Sequence, residues 1–216
     1  MNFRGELHIE DIFDLSKIQT GTIADVLDSF GIWGVLDTDI IPLNEMCKNG
    51  PTVGYAYTVR WIEIPKAEIS MASRPLIWGQ IKKLLSCERE SAKGKIYIGG
   101  VDEGLLRSHA IAGGFSATHF YQCGFRGMVL GGAIQDPPIV ENIQMPVWGT
   151  NFTRKDSKGS YEIVEIGTSC TVGDLEIFTG DLVVADATDV VVIPQSKIFE
   201  VLTLATKVKV SEPTPY

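Results

Sequence analysis

The sequence predicts a mixed α/β domain with a parallel strand–helix–strand centre and a β-rich C-terminal third. Two apolar runs, KIYIGG at 95–100 and GMVLGG at 127–132, each end in glycines. They read as buried parallel strands joined by a helical crossover. After Pro146 the chain breaks into short apolar segments, PVWG, YEIVEIG, CTVGDLEIFTGDLVVAD and VVVIP, separated by Gly and Asp turns. That rhythm is the signature of consecutive short strands.

The first element is a helix in TGTIADVLDSFG. Ile23, Val26, Leu27 and Phe30 follow the i, i+3, i+4, i+7 spacing of one helical face, and Gly31 stands where a C′ residue belongs. Thr22 with Asp25 resembles a capping box. From Val53 to Ile64, large residues (Val53, Tyr55, Tyr57, Val59, Trp61) alternate with Gly54, Ala56, Thr58 and Arg60, which is strand periodicity. Ser73 and Pro75 open a second helix, with Ile77, Ile81, Leu84 and Leu85 on one face. Residues 104–124 are expected to be helical in part, broken near Gly113-Gly114. A last helix carries Ile198, Val201, Leu202, Ala205 and Val208. The domain is expected over 1–210, with 211–216 a loose polar tail.

The chain has 216 residues, 44% hydrophobic and 21% charged, so it can bury a core without disulfides or a structural metal. Its 19 basic and 27 acidic residues give a net charge of −8, which argues against direct nucleic-acid binding. No apolar run is long enough for a membrane span, and the charged start MNFRGELHIED is no secretory signal. Cys47, Cys87, Cys123 and Cys170 are spaced for neither a CxxC site nor a dense disulfide framework. A cytoplasmic protein with reduced thiols is the expectation.

There is no GxSxG, HExxH, P-loop lysine or strand-following GxGxxG, and His8, His109 and His119 are not spaced as paired metal ligands. Three features remain. In Val129–Pro137 an apolar strand runs through Gly131-Gly132 to present Gln135 and Asp136. Ligands of parallel α/β sheets bind beyond the carboxyl ends of strands, where Asp136 would meet a hard cation. Asp136 can equally cap the helix that Pro137 opens, and on the residues alone this role leads. At the neighbouring strand end, Asp102 or Glu103 either faces the same crevice or lies in a solvated turn. Finally, Gly113-Gly114-Phe115-Ser116 opens a helical stretch whose free N–H groups suit a carboxylate or phosphate, although close backbone packing explains the glycines equally well.

Taken in order, TIADVLDSFG, IIPL with GPTVGYAYTVR, the glycine-initiated helix leading to VLGGAIQD, and VGDLEIFTGDLVVADATDVVVIP resemble the RraA-like family. That family includes regulators of ribonuclease E activity and divalent-metal 4-hydroxy-4-methyl-2-oxoglutarate aldolases. The resemblance runs from about Gly21 to Ala205 and implies a swivelling β/β/α-type fold, assembled as homotrimers or hexamers with sites between subunits. A neighbouring subunit would then contribute a residue, Glu176 or Asp186 being candidates.

The aldolase motif maps onto Gly113 as the helix-opening glycine, with Phe115 and Ser116 supplying the N–H groups that hold the pyruvate carboxylate. Asp136 is the metal-binding aspartate, for Mg²⁺ or Mn²⁺. Three positions depart from the pattern. Gly114 replaces an acidic residue, Gln135 an arginine and Ile139 a second acidic residue, with Glu141 nearby. Asp102 is the substitute expected for the lost acid. In the last turn, Asp186-Ala187-Thr188-Asp189 places Asp189 where the family has a glycine suited to positive φ.

The implied activity is a metal-dependent carbon–carbon lyase, an aldolase or oxaloacetate-type decarboxylase, acting on a small 2-oxo acid with Asp102 and Asp136 as catalytic groups. Gln135 and Gly114 point to an altered substrate, with Gly113, Gly114, Phe115, Ser116 and Gln135 binding it. The alternative is a non-catalytic regulator whose acidic surface binds an RNA-processing partner. No methyl-donor nucleotide site is present in the sequence.

Overall fold

The computed structural model describes residues 12–65 and 92–211. The helix expected from Ser73 and Pro75, the first residues of the chain and the last five of its tail lie outside them.

A sheet of mixed direction forms the frame. Its strands are β1 (Ile41–Pro42), β2 (Thr52–Glu63), β3 (Lys95–Val101), β5 (Gly127–Leu130), β7 (Val147–Gly149), β8 (Tyr161–Ile166), β11 (Leu182–Ala185) and β12 (Val190–Ile193). The order is β1-β7-β5-β3-β2-β11-β12, with β8 also paired to β2. Pairs β2–β3 and β5–β7 are parallel, and so is β3–β5, the pair that the two apolar runs predict. Their strands are buried on both faces, which is why they read as continuous apolar stretches. Strand β2 is long enough for two partners along one edge: Thr52–Tyr55 pair with β11, and Val59–Glu63 with β8.

Between β3 and β5 the crossover is longer than the sequence suggests. Residues 106–112 form a strand, β4 (Leu106–Ala112), not the expected helical turn; helix α2 (Gly114–Gln122) follows it. Strand β4 pairs in parallel with β6 (Gly132–Ile134) as a separate two-stranded sheet. The run LRSHAIA alternates too weakly to announce a strand, and its ladder partner lies more than twenty residues away. A β9–β10 hairpin (Ser169–Val172, Leu175–Phe178) completes the β-rich third.

Helix α1 (Thr20–Ser29) buries Ile23, Val26 and Leu27, and Gly31 ends it at φ 69°. The expected Thr22–Asp25 capping box does not form, because the helix starts at Thr20 with Gln19 as its N-cap, three residues before Thr22. Its first turn is capped from a distance: Asp186 Oδ2 accepts bonds from the Thr20 amide at 3.3 Å and the Thr20 hydroxyl at 2.9 Å. Helix α4 (Ile198–Ser211) packs with α1 against β11 and β12, and it carries Ser211, expected in the loose tail, within its last turn.

Asp189 does not take the left-handed conformation expected of it. Asp186 closes that turn, its Oδ1 accepting the amides of Thr188 at 2.8 Å and Asp189 at 3.2 Å. Among the described residues the non-glycine with positive φ is Asp136. Cys47 and Cys170 are free and buried, while Cys123 is disulfide-bonded, which corrects the expectation of reduced thiols throughout. Sequence spacing reports nothing about distance in the fold.

Candidate functional site

The β4–β6 pair aims both its carboxyl ends at one place. Ala112 is in register with Ile134, and the Gln135 amide donates to the Ala112 carbonyl at 3.0 Å. Beyond β4 the chain turns through Gly113 into α2; beyond β6 it passes Gln135 and Asp136 into the short helix α3 (Pro137–Val140). Parallel strand ends followed by a helix N-terminus are where α/β proteins collect anionic ligands.

Asp136 holds φ 61° and ψ 58° at the head of α3 but makes no side-chain cap there. Its carboxylate turns instead to α2, where Oδ2 accepts the Gly114 N–H at 3.0 Å. Ser116 Oγ accepts the Gly113 amide at 3.0 Å and donates to the Gly113 carbonyl at 2.9 Å. The next helical bond runs from the Ala117 amide to the Gly113 carbonyl. Helix geometry therefore leaves the N–H groups of Phe115 and Ser116 open at the positive end of the dipole.

Both glycines are explained by close approach. A Cβ on Gly113 would come within 3.1 Å of Asp136 Oδ2, and one on Gly114 within 2.7 Å of Ile139 Cβ. Gly114 and Ile139, the two positions where an acidic pair was expected, pack against one another. A carboxylate at 114 has no room while isoleucine occupies 139.

The N-terminus of α2 opens on a cleft of about 460 Å³. Gly113, Phe115, Ser116, Gln135 and Asp136 line it, while Gly114, expected with them, is not among the lining residues. Trp61, Tyr97, Ile111 and Phe120 form an apolar inner wall, and Asp156, Ser157 and Lys158 close one side. Lys158 Nζ lies 3.0 Å from Asp156 Oδ2. Gln135 does not extend freely; its Nε2 donates to the Arg154 carbonyl at 2.9 Å.

Asp102 is not brought to the cleft, which corrects its expected role as base. Arg60 grips it through two bonds, Nε to Oδ1 at 2.8 Å and Nη2 to Oδ2 at 2.6 Å. That guanidinium holds the Asp102 carboxyl below the usual carboxylate range. Arg60 precedes Trp61 on β2, and successive strand residues face opposite ways, so the pair belongs to the other face. Glu103 is likewise engaged elsewhere, accepting the Glu63 amide at 3.1 Å.

The inner wall and the Asp156–Lys158 side escape sequence reading. Trp61 and Tyr97 look like ordinary strand interior. Asp156 is delivered by a parallel bridge to Ala110 that no local pattern announces. Burial raises the Tyr97 hydroxyl pKa, partly offset by the nearby Trp61 N–H. The two lack hydrogen-bond geometry, and Trp61 Nε1 is left buried and unpartnered among the described residues. Such an orphaned donor costs roughly 1–3 kcal/mol. His109, buried beside Tyr161, is pushed below its ordinary pKa first by burial and then by Lys155.

Among the described residues no group of three His, Cys, Asp or Glu surrounds a metal-sized space. Asp136 nevertheless suits a site with one protein ligand: its side chain is exposed, Oδ2 is spent on Gly114, and Oδ1 remains for a cation. Mg²⁺ is commonly held through one or two carboxylates, with water and substrate completing its shell.

Fold and cleft define a mixed α/β protein whose pocket forms where a parallel strand pair meets a helix N-terminus. The chain belongs to the RraA-like family, whose Aldolase/RraA model matches residues 20–192. It is 30% identical over 204 residues to a putative 4-hydroxy-4-methyl-2-oxoglutarate aldolase of Halalkalibacterium halodurans, covering 94% of this chain and 85% of that one. It is 28% identical over 203 residues to an uncharacterised protein of Methanocaldococcus jannaschii, covering 92% and 89%. In fold it is similar to an unusual member of the RNase ES inhibitor RraA family from Streptomyces coelicolor, at TM-score 0.72, 23% identity and 90% coverage of each chain. Among the described residues no helix is long and apolar enough to cross a membrane.

Proposed function

We propose that the cleft binds a 2-oxo acid and that the chain is a carbon–carbon lyase working through a pyruvate enolate. The observation that carries this reading is the Asp136–Gly114 contact. It fixes a carboxylate beside two open N–H groups, so a cation and an anionic substrate can share the mouth of one cleft.

In this reading the substrate carboxylate accepts from the Phe115 and Ser116 amides, and Asp136 Oδ1 holds Mg²⁺ or Mn²⁺. When bound, the divalent ion supplies the electrostatic stabilisation of the negative charge that develops on the keto oxygen. Gln135 spends one Nε2 hydrogen on the Arg154 carbonyl and keeps the other to donate a neutral bond where an arginine would donate a charged one. Charged hydrogen bonds net ~1.5–3 kcal/mol against ~1 for neutral ones, so the exchange costs roughly tenfold in transition-state stabilisation. As the C3–C4 bond breaks, its electron pair stays with the pyruvate fragment. In a retro-aldol cleavage the 4-hydroxyl proton passes to the base as the other fragment leaves as a carbonyl compound; in a decarboxylation that fragment leaves as CO₂ with no proton to remove, and in both cases C3 of the enolate then takes up a proton. Asp156 is the carboxylate besides Asp136 that lines the cleft, and its Oδ2, beside Lys158, is assigned the proton carrier's place.

The reading includes an assembly of trimers or hexamers with sites between subunits, in which exposed Phe115 at the cleft would be available to a neighbouring copy. The test is pyruvate release from oxaloacetate and from 4-hydroxy-2-oxo acids in Mg²⁺ or Mn²⁺. Metal-dependent turnover abolished by Asp136→Asn supports the reading; no turnover in wild type across that panel sinks it.

A second reading, a non-catalytic regulator, is favoured by the Gly114–Ile139 packing, which leaves Asp136 without its expected acidic companions. Capture of a basic segment of an endoribonuclease assembly at micromolar concentration, unaffected by Asp136→Asn, would support it.

A further inference from the structure

We infer that Lys158 supplies the positive charge that glutamine at position 135 withholds, pairing with the oxyanion of the bound enolate. This assignment rests on the acid site proposed above and adds one residue to it.

Charge, placement and tether each point to Lys158. A pyruvate enolate is a dianion. Apart from a divalent ion, the cleft meets it with the Phe115 and Ser116 amides and the neutral Gln135. Among the described residues that line the cleft, Lys158 is the one with a positive charge; Arg154 and Lys155 of the same loop do not line it. Arg60 is spent on Asp102 and Glu165.

The loop before Lys158 is laid along both strands that build the site. On β6, the Ile134 amide donates to the Asn151 carbonyl and the Thr153 amide to the Ile134 carbonyl, both at 3.0 Å. On β4, the Ala110 amide donates to the Lys155 carbonyl at 2.8 Å and the Ser157 amide to the Ala110 carbonyl at 3.2 Å. Gln135 joins in through its Nε2, 2.9 Å from the Arg154 carbonyl. The backbone that carries Lys158 is thus fixed against the strand ends and against the very side chain whose charge is missing.

Asp156 then tethers the residue twice. Its Oδ1 accepts the Lys158 amide at 2.9 Å, and its Oδ2 lies 3.0 Å from the ammonium. One carboxylate therefore keeps the cation at the cleft wall. The flexible four-carbon stem lets the ammonium lean from Asp156 to a bound oxyanion or bridge the two. Trp61, Ile111 and Phe120 make the surroundings apolar, so this attraction is less screened than at an open surface.

The experiment titrates pyruvate, a monoanion, and oxalate, a planar dianion with the enolate's charge, into the full chain with Mn²⁺ by calorimetry. In Lys158→Gln, oxalate affinity is expected to fall about tenfold and pyruvate affinity less than about threefold. Adding Gln135→Arg to that variant is expected to restore oxalate to within about threefold of wild type, which a merely structural role of Lys158 would not allow. Unchanged oxalate affinity in Lys158→Gln, an equal loss for both ligands, or a loss that Gln135→Arg does not recover overturns the role of Lys158 while the acid site stands. If neither anion binds wild type, the acid site itself fails. Should Lys158→Gln not fold, Gln135→Arg alone decides. A gain for oxalate under about threefold fits a charge already supplied, and a gain of about tenfold or more shows that none was.

Discussion

Asp136 caps a helix that begins twenty-two residues before it, its Oδ2 accepting the Gly114 N–H at 3.0 Å while its own backbone starts α3 in the left-handed conformation. One residue thus joins the two strand ends that build the cleft, and its carboxylate is held in place before any ligand arrives.

This double duty separates three substitutions. Asp136→Asn keeps an acceptor for Gly114 and tolerates φ 61°, so its melting temperature should stay near wild type. Asp136→Ala loses the cap and strains the backbone, and should cost about 1–2 kcal/mol in denaturant titrations. Asp136→Gly relieves the strain alone and should fall between them. All three should lose metal-dependent turnover.

Gly114→Ala should destabilise by about 1–3 kcal/mol, because its Cβ would sit 2.7 Å from Ile139 Cβ. Ile139→Gly removes the opposing atoms, so the double substitution should be more stable than the sum of the single losses. A thermal-denaturation cycle measures that coupling; strict additivity would show that the two residues do not oppose each other.

Asp102→Asn should leave turnover unchanged, since the carboxylate is spent on Arg60 outside the cleft. Its folded pKa is lowered, so the stability it contributes is present above the unfolded value, about 3.9, and is lost as pH falls through the folded one. The melting-temperature difference between Asp102→Asn and wild type should therefore hold at neutral pH and disappear in strong acid. A fall in kcat at neutral pH would restore Asp102 to the chemistry.

Asp186→Ala should cost about 1–2 kcal/mol by uncapping α1. Burial by itself would raise this carboxyl's pKa, but the bonds from Thr188 and Thr20 outweigh it and the net shift is downward. Its contribution is accordingly present above about pH 3.9 and fades in acid. Amide hydrogen exchange should quicken in the first turn of α1, and unchanged protection at Thr20–Ile23 would argue against the long-range cap.

Much of the frame was legible because the relevant signals are local. Buried parallel strands must be apolar on both faces, so residues 95–100 and 127–132 announced themselves; α1 and α4 showed their apolar faces, and Gly31 its left-handed turn. The site was legible as far as motif order reaches: Gly113, Phe115, Ser116, Gln135 and Asp136 do line one cleft. Strand β4 was not, since its pairing with β6 is non-local and its own alternation is weak.

The order of residues along the chain settled which segments become strands and helices, and which carboxylate follows the β6 strand end. Tertiary structure alone decided what that carboxylate faces. Asp102 and Asp136 both follow strand ends, yet one is clamped by Arg60 and the other opens on the cleft. Trp61 and Asp156 enter the same cleft from β2 and from a loop bridged to β4. The reason is that side-chain direction depends on strand parity and on partners far away in sequence, whereas periodicity and capping depend on the nearest few residues.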